Sequence, residues 1–143
     1  MTARVGDKLP PVEVPLTRTL IVATALASRD YQDVHHDPDA ARERGGKDVF
    51  MNIMTTNGLV GRFVTDWAGP EATLKRVKIR LGVPNYPGDT MTLTGTVSAI
   101  EGGVATVDVR GANSMGDHVT GTVEVEVVPA REAEAETEPT RKC

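Results

Sequence analysis

Met51-Asn52-Ile53-Met54-Thr55-Thr56-Asn57-Gly58-Leu59-Val60-Gly61-Arg62-Phe63-Val64-Thr65-Asp66-Trp67 is the stretch on which the fold turns. Ile53, Val60, Val64 and Trp67 fall on one helical stripe with Leu59 and Phe63 beside it, which predicts a helix from Met51 to Trp67. Gly69-Pro70 stops it. Gly58 and Gly61 occupy a neighbouring face. Glycine costs about 1 kcal/mol relative to alanine inside a helix, so the pair predicts that another backbone passes close by. A sheet wrapped around the helix supplies one.

Downstream the apolar period becomes two. Val77, Ile79, Leu81 and Val83 point one way, while Lys78 and Arg80 point the other. Pro84 to Asp89 carries several turn residues, and Met91, Leu93 and Val97 alternate with threonines. Glu101-Gly102-Gly103 makes a hairpin before Ala105, Val107 and Val109, and Asn113 to Asp117 makes another around Gly116. Val119, Val123, Val125 and Val127 complete the meander. Upstream, Val12, Val14 and Leu16 read as a short edge strand that tolerates Pro15. Thr19 to Ser28 mixes a β-branched half with an Ala-rich half, and we read it as helix. Asp37-Pro38 opens a short helix, Asp39 to Arg44, that ends at Gly45-Gly46. The order predicts an α+β domain over residues 1–128 in which one antiparallel sheet covers one long helix. From Pro129 the chain is Ala/Glu/Pro/Thr-rich without apolar period, so residues 129–143 are expected to be a disordered acidic tail.

A length of 143 residues, with 39% hydrophobic and 25% charged side chains, suits one soluble globular domain. A net charge of −4 argues against nucleic acid, because phosphates would go unneutralised. Lys75, Arg76, Lys78 and Arg80 form a basic cluster. It reads either as a solvated strand face or as a landing strip for an anion such as a nucleotide or a CoA pyrophosphate. The single cysteine is the last residue, which leaves no disulfide framework and no cysteine nucleophile or metal site. No apolar run reaches the roughly 18–20 residues of a membrane span, and a cytoplasmic protein is expected.

Chemistry is expected at Arg29-Asp30-Tyr31-Gln32-Asp33-Val34-His35-His36-Asp37, which holds two of the three histidines. Asp33, His35, His36 and Asp37 match no standard zinc spacing, and adjacent histidines point apart in regular structure, so we expect no metal. Carboxylates here can cap helices, and Asp37 before Pro38 suits an N-cap. Asp30 and His35 can form an acid–base pair, since an imidazole exchanges protons near neutral pH and a carboxylate beside it can orient the same water. A nucleophile–histidine pair would need a carboxylate nucleophile, because no Gly-x-Ser-x-Gly elbow is present. Spacing alone does not separate capping from acid–base work.

The run Asp30-x-x-x-x-His35-x-Asp37-Pro38-x-x-Ala41, with Val83-Pro84 and Pro87-Gly88-Asp89-Thr90 after it, resembles the MaoC-like, (R)-specific enoyl-CoA hydratases. Within that family, Ala27 to Asp37, Thr65 to Pro70 and Arg80 to Pro84 are similar to the small MaoC-like subunits of actinobacterial cholesterol side-chain enoyl-CoA hydratases. The resemblance implies a hot-dog fold and a catalytic pair on Asp30 and His35. It also implies a backbone oxyanion donor at Ile53, with Asn52 and Asn57 as substrate-binding residues. The implied substrate is a steroid side-chain enoyl-CoA, with no cofactor beyond the CoA thioester itself. The implied partner is a larger MaoC-like subunit that bridges to a retro-aldol lyase. The chain departs from the family at Gln32-Asp33, where Asn-Pro is usual, and at Asn52-Ile53, where His-Gly is usual. A non-catalytic partner subunit and a hot-dog thioesterase are the alternative readings.

Overall fold

The computed structural model describes residues 2–127, so the expected tail at 129–143 lies outside the described residues. Strand β1 (Lys8–Pro15) leads into helix α1 (Arg18–Ala27), a 3-10 turn (Asp33–His35), helix α2 (Pro38–Glu43) and helix α3 (Ile53–Ala68). Strands β2 (Thr73–Leu81), β3 (Thr90–Glu101), β4 (Val104–Asn113) and β5 (Gly116–Glu126) follow. They form one five-stranded sheet in the order β1-β3-β4-β5-β2, antiparallel throughout. Val60, Phe63, Val64 and Ala68 of α3 share one core with Leu93, Val97, Val107, Val123 and Val125 of the sheet. This is the α+β hot-dog arrangement that the alternation and the resemblance implied.

Three details differ from the sequence reading. Helix α3 begins at Ile53, not Met51, because the Asn52 side chain accepts the Thr55 N–H and acts as N-cap. Ile53 is therefore off the core stripe and 53% exposed. The edge strand starts at Lys8, earlier than Val12, and its register with β3 shifts between Leu9 and Val12, where Pro10 and Pro11 cannot donate to a ladder. Last, no backbone passes close to the helical glycines. A Cβ on Gly58 would meet nothing within 4 Å, and one on Gly61 would meet the Leu74 side chain at 3.5 Å. A glycine that lets the sheet close on this helix is Gly95 on β3, where a Cβ would lie 3.1 Å from the Phe63 ring of α3 and 3.1 Å from Val107.

The turn after β2 is tied in from several sides. Leu16 N–H donates to Asp89 O at 2.9 Å and Gly88 N–H to Leu16 O at 2.8 Å. The Asp89 carboxylate accepts from Ser114 Oγ at 2.7 Å and from its neighbour Thr90 N–H at 2.8 Å. The Ser114 hydroxyl, then the Thr90 amide, hold the Asp89 carboxyl below its ordinary range. Asn85, fully buried, accepts the Met51 N–H through its backbone oxygen at 3.1 Å, which fixes where the chain enters α3.

Candidate active site

The C-terminus of α1 delivers Asp30. Arg29 N–H donates to Leu26 O at 3.0 Å and Asp30 N–H to Ala25 O at 2.9 Å, the paired closure of a Schellman motif. Glycine normally holds the left-handed position in that motif; here Arg29 does, at φ 56°. The 3-10 turn then brings His35 back toward Asp30. Asp37 caps α2, accepting from Asp39 N–H at 3.0 Å and Ala40 N–H at 3.2 Å. Asp33, a departure from the family pattern, pairs with Arg44 at 3.0 Å and ties this turn to the end of α2. Both partners are exposed enough that the pair adds little stability.

His35 is 5% exposed and its orientation is fixed. Nδ1 lies 2.7 Å from the Phe50 carbonyl oxygen, which can only accept, so Nδ1 carries the proton and donates. Nε2 is then the free acceptor, and it lies 3.3 Å from Asp30 Oδ2. The Phe50 ring stands edge-on to the imidazole with centroids 4.8 Å apart. An imidazole nitrogen and a carboxylate oxygen that converge in this way are arranged to hold one proton donor between them or to pass one proton.

The start of α3 closes the site. Asn52, 2% exposed, donates to Ser28 Oγ at 2.9 Å and to Asp30 Oδ2 at 3.2 Å. Its carbonyl oxygen accepts from Thr55 N–H at 3.0 Å and Thr55 Oγ at 2.5 Å. The N–H groups of Ile53 and Met54, next in the first turn, meet no acceptor among the described residues, and a helix N-terminus favours negative charge there. A groove of about 350 Å³ between α1 and α3 runs beside them, with Ser28, Met54, Thr55 and Gly58 in its walls.

Of the residues expected from sequence, Asp30, His35, Asn52 and Ile53 meet at one site. Asn57 does not join their hydrogen-bonded cluster; it is exposed on α3. His36 is exposed while His35 is buried, so the doublet splits between solvent and site. Among the described residues no three metal-ligating side chains gather. Ser28, Phe50 and Thr55 escaped the sequence reading because they act through a hydroxyl or a carbonyl that no motif marks. So did the third histidine. His118 is 2% exposed, with Nδ1 2.6 Å from Val83 O and Nε2 2.8 Å from Thr56 Oγ. Burial, only partly offset by the Val83 carbonyl, pushes its imidazole below the ordinary value.

The sequence matches the MaoC like domain over residues 1–119. The chain belongs to the MaoC-like family. One relative, the 3-oxo-4,17-pregnadiene-20-carboxyl-CoA hydratase beta subunit of Mycobacterium tuberculosis, is 55% identical over 121 residues, which is 85% of this chain and 94% of the relative. The structure matches the crystal structure of the ChsH1–ChsH2 complex from Mycobacterium tuberculosis with a TM-score of 0.87 and 53% identity, over 89% of this chain and 100% of the matched one. The (R)-hydratase from A. caviae involved in PHA biosynthesis has the same MaoC-like fold: TM-score 0.79 at 21% identity, over 89% of this chain and 98% of its own. No helix among the described residues is long and apolar enough to cross a membrane.

Proposed function

We propose that this chain is the catalytic small subunit of a heteromeric enoyl-CoA hydratase, a hydro-lyase that adds water across the α,β double bond of an acyl-CoA. The observation that carries this reading is the convergence of His35 Nε2 and Asp30 Oδ2 at 3.3 Å beside the helix N-terminus where the Ile53 and Met54 N–H groups meet no acceptor among the described residues. Membership of the MaoC-like family and the hydratase relative support the reaction class.

A water held between the two groups donates one O–H to each. His35 takes a proton as the oxygen attacks the β-carbon, and negative charge moves to the thioester oxygen. The Ile53 and Met54 N–H groups face that charge; loss of one such donor costs about 10²–10³-fold in rate. The proton on His35 crosses the short contact to Asp30, which delivers it to the α-carbon, and both side chains return to their starting states. The balance closes with no metal or cofactor, and the CoA thioester is the substrate.

The relative's name supports a steroid side-chain enoyl-CoA as the acyl group, and the matched two-component complex supports a second subunit as partner, which we take to be a larger MaoC-like chain. We extend that to a retro-aldol lyase docked through the larger subunit, since the hydration product is a β-hydroxyacyl thioester. A cytoplasmic location is part of the same proposal, since the proposed substrate is a CoA thioester. One observation favours a non-catalytic partner role instead: Ile53 projects a side chain, 53% exposed, where the family has glycine, and so crowds the thioester approach. To test the reading, the chain is mixed with its partner and a C20-carboxyl steroid enoyl-CoA while the enoyl thioester absorbance and free thiol are both followed. Loss of absorbance without thiol release is the expected result. Thiol release would make the protein a thioesterase, and no change in either signal would remove the hydratase assignment.

A further inference from the structure

We propose that Asn52 is a positioning residue for the reaction, setting the Asp30 carboxylate rather than binding substrate. This rests on the hydratase reading above. An asparagine amide has two N–H donors and two acceptor lone pairs, and here all four are used within the protein. None remains for a ligand. The orientation of the amide is also forced: half a turn would set its oxygen against the Asp30 carboxylate and its NH₂ against the Thr55 N–H.

The four bonds reach three residues, Ser28, Asp30 and Thr55, in different parts of the site. Ser28 Oγ spends its hydrogen on Thr24 O at 2.7 Å, so it receives the Asn52 N–H on a lone pair at 2.9 Å. The end of α1 is thereby fastened to the start of α3. The second N–H holds Asp30 Oδ2 at 3.2 Å, the same oxygen that lies 3.3 Å from His35 Nε2, while Gln32 N–H lies 3.4 Å from Oδ1. A neutral amide orients a carboxylate without cancelling its charge, as a lysine or arginine would. The same side chain caps α3 through its oxygen, which frees the Ile53 and Met54 N–H groups to face the thioester oxygen. One residue thus sets the geometry of the acid–base pair relative to the oxyanion donors.

Two substitutions separate these duties. Asn52→Ser keeps a good N-cap but is too short to reach Asp30. Asn52→Asp keeps the capping acceptor and sets a second carboxylate where the donor was. Each is measured as the complex with the partner subunit, after thermal unfolding confirms a folded chain, with steady-state hydration followed from about pH 5 to 9. In Asn52→Ser, kcat is expected to fall at least about tenfold with KM changed less than about threefold, and the acidic limb of the kcat profile moves to higher pH. In Asn52→Asp the limb moves further the same way. A raised KM with kcat and the limb unchanged would make Asn52 a substrate contact and overturn the proposal; unchanged kinetics would leave it a cap alone, with the same effect. An activity-independent readout is the pH titration of the His35 imidazole ¹⁵N shifts in the chain without substrate. The wild-type and Asn52→Ser curves are expected to separate, and superimposable curves would overturn the proposal even if one variant complex failed to assemble. If the wild-type complex hydrates nothing, the hydratase reading fails and the His35 titration alone decides on Asn52.

Discussion

Lowering the pH should destabilise this protein through His118, and the sign follows from its surroundings. Nδ1 donates to Val83 O at 2.6 Å, so neutral His118 offers Nε2 to the Thr56 hydroxyl at 2.8 Å. A second proton on Nε2 would reverse that bond, with Nε2–H donating to Thr56 Oγ, and the O–H of fully buried Thr56 would lose its acceptor. Burial disfavours the imidazolium first, only partly offset by the Val83 carbonyl, and a buried O–H left without an acceptor adds a cost of about 1–3 kcal/mol. The folded-state value is therefore depressed below the ordinary 6.5, and the unfolded chain binds more protons at mildly acidic pH. Stability is fully present above that ordinary value and is lost as pH falls toward the depressed one, with a slope of at most about 1.4 kcal/mol per pH unit. Between about pH 7.5 and 5.5 the loss reaches up to about 1.4 kcal/mol. The depressed Asp89 acts in the same direction only as pH falls through and below 3.8, outside this window. Urea unfolding of the wild type and of His118→Gln at both pH values gives the double difference. A wild-type loss that persists undiminished in His118→Gln would refute the reasoning.

Two further substitutions probe the frame of the site. Arg29→Gly relieves a left-handed backbone that costs an L-residue roughly 1–2 kcal/mol, against about 0.5–1 kcal/mol of extra unfolded-state freedom. Thermal unfolding should show unchanged or slightly higher stability with activity retained, and a drop of several degrees would contradict the Schellman closure seen at φ 56°. Gly58→Ala places a Cβ in open space on α3, so stability should rise by about 1 kcal/mol. If the groove beside the site takes the acyl group, the same variant raises KM for a bulky enoyl-CoA more than for a short one. Equal KM changes would take the acyl group out of that groove.

The long helix and the meander were legible because their apolar periods, 3.6 and two, are written in side chains. The start of α3 was not, since the N-cap duty of Asn52 depends on Thr55 and Ser28 arriving from different segments. Asp30 and His35 were found through spacing and resemblance, yet what makes them a pair is the Phe50 carbonyl that fixes the tautomer, and a backbone oxygen leaves no trace in a sequence. Asn52 was expected to touch substrate; it is buried and fully bonded within the protein. Gly58 and Gly61 looked like signs of a close backbone, but the glycine packed against the helix is Gly95 on the sheet, where alternation hides it among threonines.

The most direct test of the central claim is the hydration rate of Asp30→Asn and His35→Ala made in this chain alone, each assembled with an unaltered partner. Acid–base groups of this kind contribute about 10²–10⁴-fold, so each variant should lose at least about a hundredfold in kcat while the complex stays assembled. Turnover near wild type in both would contradict the claim and move the chemistry to the partner subunit.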